Sequence, residues 1–341
     1  TGSSSAGDRD SVGYHYVVGA SVTAVVNHLE GWRLRALILS IVAAIAGYLA
    51  FSLWGGWQAV VTAFTQIGLI GTLIALSLSL VNYGLRFGRW QMYLGQLGHP
   101  IAWVPSLRIY LSGFALTTTP GKAGEAFRGV LLKQRGVPFP VTFAAFISER
   151  LSDLVAIVLL TLVGLAQYPQ AQGIVFAGVV GILGVLMCLS SQTLLDRLHR
   201  WASARQGKLM APIAYASEML LGARHCHHPG VLGLATLISL IAWGAEALAF
   251  YWMLGWLGAD ISLSFAIFVY ALSMLAGALS FLPGGLGSAE AVMISLLVLK
   301  GMAPPAAIAA TVFIRLATLW FAVLIGLVAM IRSRHGEKLE G

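Results

Sequence analysis

Charge is what this sequence has least of. Only 10% of its 341 residues are Asp, Glu, Lys or Arg, against about 25% in a soluble domain. So few charges cannot cover a water-facing surface, and with 58% hydrophobic residues the chain reads as an integral membrane protein. Cysteine is nearly missing: Cys188 and Cys226 make no disulfide framework. Walker, Rossmann and His-Glu-x-x-His signatures are all lacking, and Ser, His and Asp occur only as scattered residues. Any active transport must therefore draw on a gradient. No cofactor and no metal are expected. Arg224-His225-Cys226-His227-His228 has the right ligand types, but ligands this close in sequence rarely surround one ion alone. That stretch reads as a solvated loop. The net charge of +8 does not point to nucleic acid, because no soluble basic domain exists to bind it.

What the chain does have is a motif that occurs twice. Thr119-Pro120-Gly121-Lys122-Ala123-Gly124-Glu125 returns as Pro283-Gly284-Gly285-Leu286-Gly287-Ser288-Ala289-Glu290, with two extra residues. Beyond the glutamate the register is the same. Gly136 and Gly301 follow at an offset of 11, Arg150 and Arg315 at an offset of 25. Repeated spacing within apolar sequence indicates an internal duplication.

Loop charges orient the segments. Residues 1–30 are polar and then mildly apolar, with a short interfacial helix over Tyr14–Leu29 and termini that resemble engineered sequence. Leu34–Leu53 is a 20-residue apolar run, about 30 Å as a helix and enough to cross a bilayer core. Arg33 and Arg35 place its start in the cytoplasm; Trp54 and Trp57 mark the far interface. Val60–Val81 returns to Arg86 and Arg89, read as a cytoplasmic loop. Val141–Leu165 leads outward to an uncharged loop, and Gly173–Leu189 leads back to the most basic loop, with Arg197, Arg200, Arg205, Lys208 and Arg224. Residues 101–135 must then enter from the cytoplasm and return to it. They read as a re-entrant hairpin with its tip at Thr117–Gly121.

The second half mirrors the first. Val231–Leu257 runs outward, residues 261–300 form a hairpin entered from outside with its tip at Pro283–Gly287, and Pro304–Ile331 crosses back to Arg332 and Arg334. The expected fold is an all-α polytopic membrane protein with an inverted-topology repeat, about six transmembrane spans and two opposed re-entrant hairpins. The first repeat covers 31–165, the second 166–331, and 332–341 is a basic tail. Both termini lie in the cytoplasm, in a cytoplasmic (inner) membrane. Eight full spans are the alternative, but they put one half's basic loops on the wrong side. Residues 191–224, with Leu194, Leu195, Leu198 and Trp201 among arginines, read as an amphipathic surface helix.

Broken helices that meet near the midplane of inverted repeats are a transporter signature. Glycine permits the tight turns, and Pro120 and Pro283 suit a first helical turn. The helices starting there aim free N–H groups at the bilayer centre, where an anion such as phosphate binds. Thr117, Thr118 and Thr119 add hydroxyls at one tip; Ser280 and Ser288 flank the other. An ionisable side chain at membrane depth costs roughly 2.5–3.5 kcal/mol and calls for a partner. The equal offsets pair Glu125 with Arg150 and Glu290 with Arg315. Such pairs either pin each hairpin to its span or, with Lys122 and Arg128, line a cavity for an anionic headgroup. Glu149 and Asp153 flank Arg150 without counterparts, since Ile314 and Thr318 occupy the equivalent positions. They serve a proton, a cationic headgroup or the neutralisation of Arg150. Glu246 is a third intramembrane acid, facing the bundle interior, with a proton site as its functional reading. The candidate substrate-binding set is thus Thr118, Thr119, Pro120, Gly121, Lys122, Gly124, Glu125, Arg128, Glu149, Arg150, Asp153, Glu246, Pro283, Gly284, Gly285, Gly287, Glu290 and Arg315, with no catalytic residue.

Thr119 to Arg128, Ser148-Glu149-Arg150-Leu151-Ser152-Asp153, and Pro283 to Gly287 with Glu290 resemble the lysylphosphatidylglycerol synthase/flippase membrane-domain family. The resemblance covers about residues 35–331. It implies a multi-pass protein that moves lipids between leaflets; in that family the membrane part translocates aminoacylated phosphatidylglycerol made by a separate soluble domain. No stretch of this sequence reads as that domain. Some stand-alone relatives accompany polyprenyl-phosphate sugar pathways. The expected partners are membrane lipids with an anionic headgroup, with a partner enzyme at the loop 191–230. Two other readings stand beside lipid translocation. One is a membrane scaffold for a lipid or glycan enzyme. The other is an intramembrane transferase whose base lies in Glu149–Asp153.

Overall fold

Away from water, a backbone must satisfy its own N–H and C=O groups, and a helix does so within one segment. The computed structural model describes residues 57–118, 123–165, 172–205, 220–280 and 282–339, with Gly47, Met210 and Ser217 singly; among these no strand occurs. The expected span Leu34–Leu53 and the interfacial segment Tyr14–Leu29 lie outside the described residues. The helices are α1 (Trp57–Gln96), α2 (Trp103–Phe114), α3 (Ala123–Lys133), α4 (Phe139–Leu165), α5 (Gln172–Ser190), α6 (Gln192–Ser203), α7 (Pro229–Trp256), α8 (Leu263–Leu279), α9 (Ser288–Leu299), α10 (Pro304–Arg315) and α11 (Phe321–Leu339). A π-turn, Leu316–Trp320, joins the last two into one run. Trp57–Gln96, Pro229–Trp256 and Pro304–Ile331 are long and apolar enough to cross a membrane. This is an all-α membrane protein.

The first correction concerns α1. Arg86 and Arg89 do not lie in a loop: the helix continues through both to Gln96. Ala75, Ser79, Tyr83, Phe87, Trp90 and Leu94 recur every three or four residues along its buried face, and Asn82, Arg89 and Tyr93 are buried beside them. Polar groups thus point inward, while Leu69, Ile70, Leu73 and Leu80 are exposed, as lipid-facing positions are. Gly68, at φ 66°, breaks α1 near its start.

Two helical hairpins are built from short arms. α2 and α3 have 12 and 11 residues, about 18 and 16 Å, well short of a bilayer core of about 30 Å. α8 and α9 have 17 and 12 residues. In each case the two arms pack on one another. The second tip is a 3-10 turn, Pro283–Gly285, in which Gly284 and Gly285 take φ of 61° and 67°. A Cβ at Gly285 would stand 2.9 Å from the Cα of Gly277 on α8, so the tip closes backbone to backbone.

The packing partners correspond between the halves. Under the duplication α1 matches α7, α2 matches α8, α3 matches α9, and α4 matches α10 with α11. α1 packs on α7, which exchange maps onto itself. α2 packs on α11, and its image, α8 on α4, is also made; so is α10 on α1 with α4 on α7. Each hairpin therefore leans on the other half's last helix, and glycine permits the approach. A Cβ at Gly326 of α11 would stand 2.2 Å from the amide nitrogen of Ala115, and one at Gly164 of α4 2.2 Å from Cβ of Phe268 on α8.

Candidate functional site

Among the described residues the buried acids fall into two clusters with arginines and one carboxylate that meets a tyrosine. The larger cluster gathers α1, α3, α4 and α7. Arg89 is fully buried, with its Nη1 2.6 Å from Oδ1 of Asp153 and also bonded to the Ser239 hydroxyl. Asp153 also meets Arg86 at 3.3 Å and Arg150 at 3.5 Å, and accepts the Trp243 indole N–H at 3.0 Å. Glu149 takes Arg128 at 3.1 Å, with Arg89 at 3.9 Å. Flat rings support the guanidiniums: Arg128 lies 4.6 Å from the Trp90 ring centre and 5.1 Å from Tyr110, and Arg86 lies 5.2 Å from Trp243. Cation–π contacts of this kind stabilise desolvated cations by roughly 0.5–2 kcal/mol. Among the described side chains, four arginines (86, 89, 128 and 150) face two carboxylates (149 and 153), an excess of two positive charges.

Of the first half's expected pair, only the arginine's side chain is described. Arg150 meets Asp153, three residues on, and its side chain is 38% exposed. It also stacks 5.5 Å from the Phe146 ring. Thr119, Pro120, Gly121 and Lys122 lie outside the described residues, as do the side chains of Gly124 and Glu125, although both belong to α3. The pairing of Glu125 with Arg150 therefore also falls outside them.

The second cluster belongs to the other hairpin. Arg315 Nε lies 2.6 Å from Glu290 Oε1, and its Nη2 donates to the Gly284 carbonyl at 2.7 Å. The other oxygen of Glu290 accepts the Gly287 N–H at 2.7 Å. This glutamate thus caps α9 from its third position while holding the arginine. Here the sequence reading is corrected. Pro283 opens the 3-10 turn rather than α9, because the two extra residues place Gly287, at φ 89°, between them. The α9 N-terminus already has a carboxylate, so it is not a vacant phosphate cradle.

The tips meet. Cγ2 of Thr118 lies 3.5 Å from where a Cβ of Gly284 would stand, and the Thr118 hydroxyl is buried without a hydrogen-bond partner. The Tyr83 hydroxyl donates to the carbonyl of Thr318, inside the π-turn next to Arg315. Glu246 stands apart: it is 4% exposed and accepts the Tyr270 hydroxyl at 2.6 Å.

Arg86, Arg89, Ser239, Trp243 and Tyr270 escaped the sequence reading. The available signal was the polar stripe at three- and four-residue spacing along α1, which the assignment of Arg86 and Arg89 to a loop discarded. Arg224–His227 forms a 3-10 turn with Cys226 buried, and among the described residues no three His, Cys, Asp or Glu come together as metal ligands.

An all-α membrane protein with ion pairs buried between two hairpins is the class defined so far. Residues 36–326 match the family described as the lysylphosphatidylglycerol synthase transmembrane region, and the chain belongs to it. The UPF0104 membrane protein PH1989 of Pyrococcus horikoshii is 22% identical over 82% of this chain and 92% of its own. A UPF0104 membrane protein of Methanothermobacter thermautotrophicus is 25% identical over 69% and 77%. Glycosyltransferase AglD of Haloferax volcanii is 28% identical over 68% of this chain, which spans only 44% of that protein.

Proposed function

We propose that this protein moves a lipid with an anionic headgroup between the leaflets of a cytoplasmic membrane. The observation that carries the reading is the excess of two guanidiniums in the larger cluster among the described side chains. Each buried charge is costly, and an unbalanced pair of them is the electrostatic complement of a phosphate. Arg150, with its side chain 38% exposed, and Arg86, at 14%, are the members that reach outward to a ligand. The paired hairpins fit the inverted-repeat transporter plan, with both termini cytoplasmic and each hairpin entering from its own side. Rocking one half against the other would then open the cluster to either leaflet.

The test is flipping of acyl-labelled phosphatidylglycerol in proteoliposomes, read by chemical quenching of the outer leaflet. A charge-assisted hydrogen bond contributes about 1.5–3 kcal/mol, so Arg150→Ala slows flipping by about tenfold or more. Arg150→Lys recovers part of the rate. Full-rate flipping by folded Arg150→Ala and Arg86→Ala variants refutes the assignment.

The relative named as a glycosyltransferase favours a second reading, a membrane module that holds a glycan-building enzyme at the basic segment 191–230. α6 shows Leu194, Leu198 and Trp201 exposed beside Arg197 and Arg200. Replacing those three apolar residues by Ser separates the readings: a scaffold loses its partner enzyme, a translocator keeps flipping.

A further inference from the structure

Three of the four buried acids described above have an arginine close by. Glu149 has Arg128 at 3.1 Å, Asp153 has Arg89 at 2.6 Å and Glu290 has Arg315 at 2.6 Å. Glu246 is the exception. It forms no ion pair among the described residues, and the hydrogen bond it receives comes from a neutral hydroxyl, that of Tyr270. Ala242, Ala245, Ala247, Ala249 and Phe250 are buried around it on α7. An ionised carboxylate in such a setting is expensive, and the ordinary relief is to bind a proton.

The surroundings suit a proton that comes and goes. Asn82 of α1 donates to the carbonyl of Ala242, one turn before Glu246, and its own amide oxygen is fully buried without a partner. From the helices packed against α7, the ionisable groups acting on Glu246 are Tyr83 and Arg86 of α1, Asp153 of α4, Tyr270 of α8 and Arg315 of α10. The turn Arg224–His227 meets α7 near its start, about 25 Å along the helix from Glu246. Both nearby arginines are already engaged, Arg86 with Asp153 and Arg315 with Glu290 and the Gly284 carbonyl. When Glu246 loses its proton, the new negative charge competes for them. Drawing Arg315 away releases the tip of the second hairpin; drawing Arg86 away leaves Asp153 to Arg89 and Arg150.

We propose that Glu246, with Tyr270, is a proton-binding site that switches the hold of Arg315 and Arg86 on the two clusters. Proton binding is thereby tied to movement of the second hairpin. Its use to drive lipid movement rests on the translocation reading above, whereas the proton site itself does not.

Infrared difference spectroscopy on the full chain in phosphatidylglycerol vesicles, between acidic and alkaline pH, tests the site without any transport. The expected result is a protonated-carboxyl carbonyl band that disappears at alkaline pH in the wild type and is missing in Glu246→Gln. Tyr270→Phe, which keeps the ring, moves the pH at which the band is lost, and Glu290→Gln, which frees Arg315 to attract the ionised Glu246, lowers it. A Glu246 band present at every pH, or absent at every pH, overturns the site. The second measurement is flipping of labelled phosphatidylglycerol with and without an imposed proton gradient. The wild type responds several-fold, and in Glu246→Gln the ratio of the two rates falls to unity. An undiminished gradient response in that variant overturns the coupling. A wild type that never flips the lipid overturns the translocation reading and the coupling with it, while the infrared band still decides the site.

Discussion

Replacing Asp153 by asparagine separates the charge at the heart of the larger cluster from its shape. The carboxylate meets Arg89 at 2.6 Å, Arg86 at 3.3 Å and the Trp243 indole at 3.0 Å. Asparagine keeps the volume and one carbonyl oxygen but leaves Glu149 as the sole described carboxylate for four guanidiniums. Not all four suffer equally. The side chains of Arg86 and Arg150 are 14% and 38% exposed and can turn towards water or headgroups, whereas that of Arg89, at 0%, cannot. The loss is therefore that of one fully buried pair, about 3–5 kcal/mol when a single partner is removed. Arg150→Ala is the control: its contact spans three residues at 3.5 Å on an exposed side chain, and such pairs contribute about 0–1 kcal/mol. Unfolding in mixed micelles, titrated with SDS and followed by circular dichroism, should separate the two variants by about 2 kcal/mol or more. The double variant Arg89→Gln/Asp153→Asn removes the orphaned cation as well and should recover much of the loss, as coupled neighbours do. Equal costs for Asp153→Asn and Arg150→Ala refute the reasoning. So does a double variant whose loss is the plain sum of its parts.

Other expected outcomes follow from the contacts. Gly326→Ala, whose Cβ would stand 2.2 Å from the Ala115 amide nitrogen, destabilises the protein by about 1–3 kcal/mol, the cost of overpacking. Gly181→Ala on α5, with open space around it, costs nothing or stabilises in the same SDS titration. Arg315→Lys keeps the charge but cannot reach both Glu290 and the Gly284 carbonyl. Hydrogen exchange at 284–290 should therefore rise, and protection equal to wild type refutes the latch. Cys226 is fully buried, so it should resist a membrane-permeant maleimide in the folded protein and label only on unfolding; rapid labelling of the native state counts against the packing of α1, α4 and α7 around it.

Much of the fold could be read from the chain because the signals were local. Proline and glycine at 283–287 marked a break, and the helix ends fell within a few residues of the charge-based boundaries, as at Phe139–Leu165 and Pro229–Trp256. The repeated offset of Glu290 and Arg315 located a pair that the structure makes at 2.6 Å. What was not legible depended on distance along the chain. Arg86 and Arg89 end an apolar run, which loop-charge reasoning assigns to the cytoplasm. Only Asp153, 64 residues beyond Arg89, turns that residue inward. At Arg150 two carboxylates were open to it in the sequence, one 25 residues back and one three positions on; the described contact is with the nearer, Asp153. The tip at Pro283 was misjudged because two inserted residues, one a glycine with positive φ, moved the helix start to Ser288.

The two halves share a spacing of Glu, Gly and Arg but differ in charge around the arginine. In the second half Ile314 and Thr318 flank Arg315, which spends its donors on Glu290 and on the hairpin backbone at Gly284. That arginine is 4% exposed and locally neutralised: it behaves as a latch. In the first half the equivalent positions are Glu149 and Asp153, which draw in arginines from α1 and α3 as well as Arg150. Three cations besides Arg150 face these two acids, so the described side chains of this cluster carry a positive surplus, and Arg150 is partly exposed. A duplicated ion pair kept for rigidity alone gains nothing from that surplus, because each unpaired guanidinium weakens the fold. The surplus is intelligible where a mobile anion completes it during part of a cycle, with the neutral second half holding its hairpin until that anion arrives.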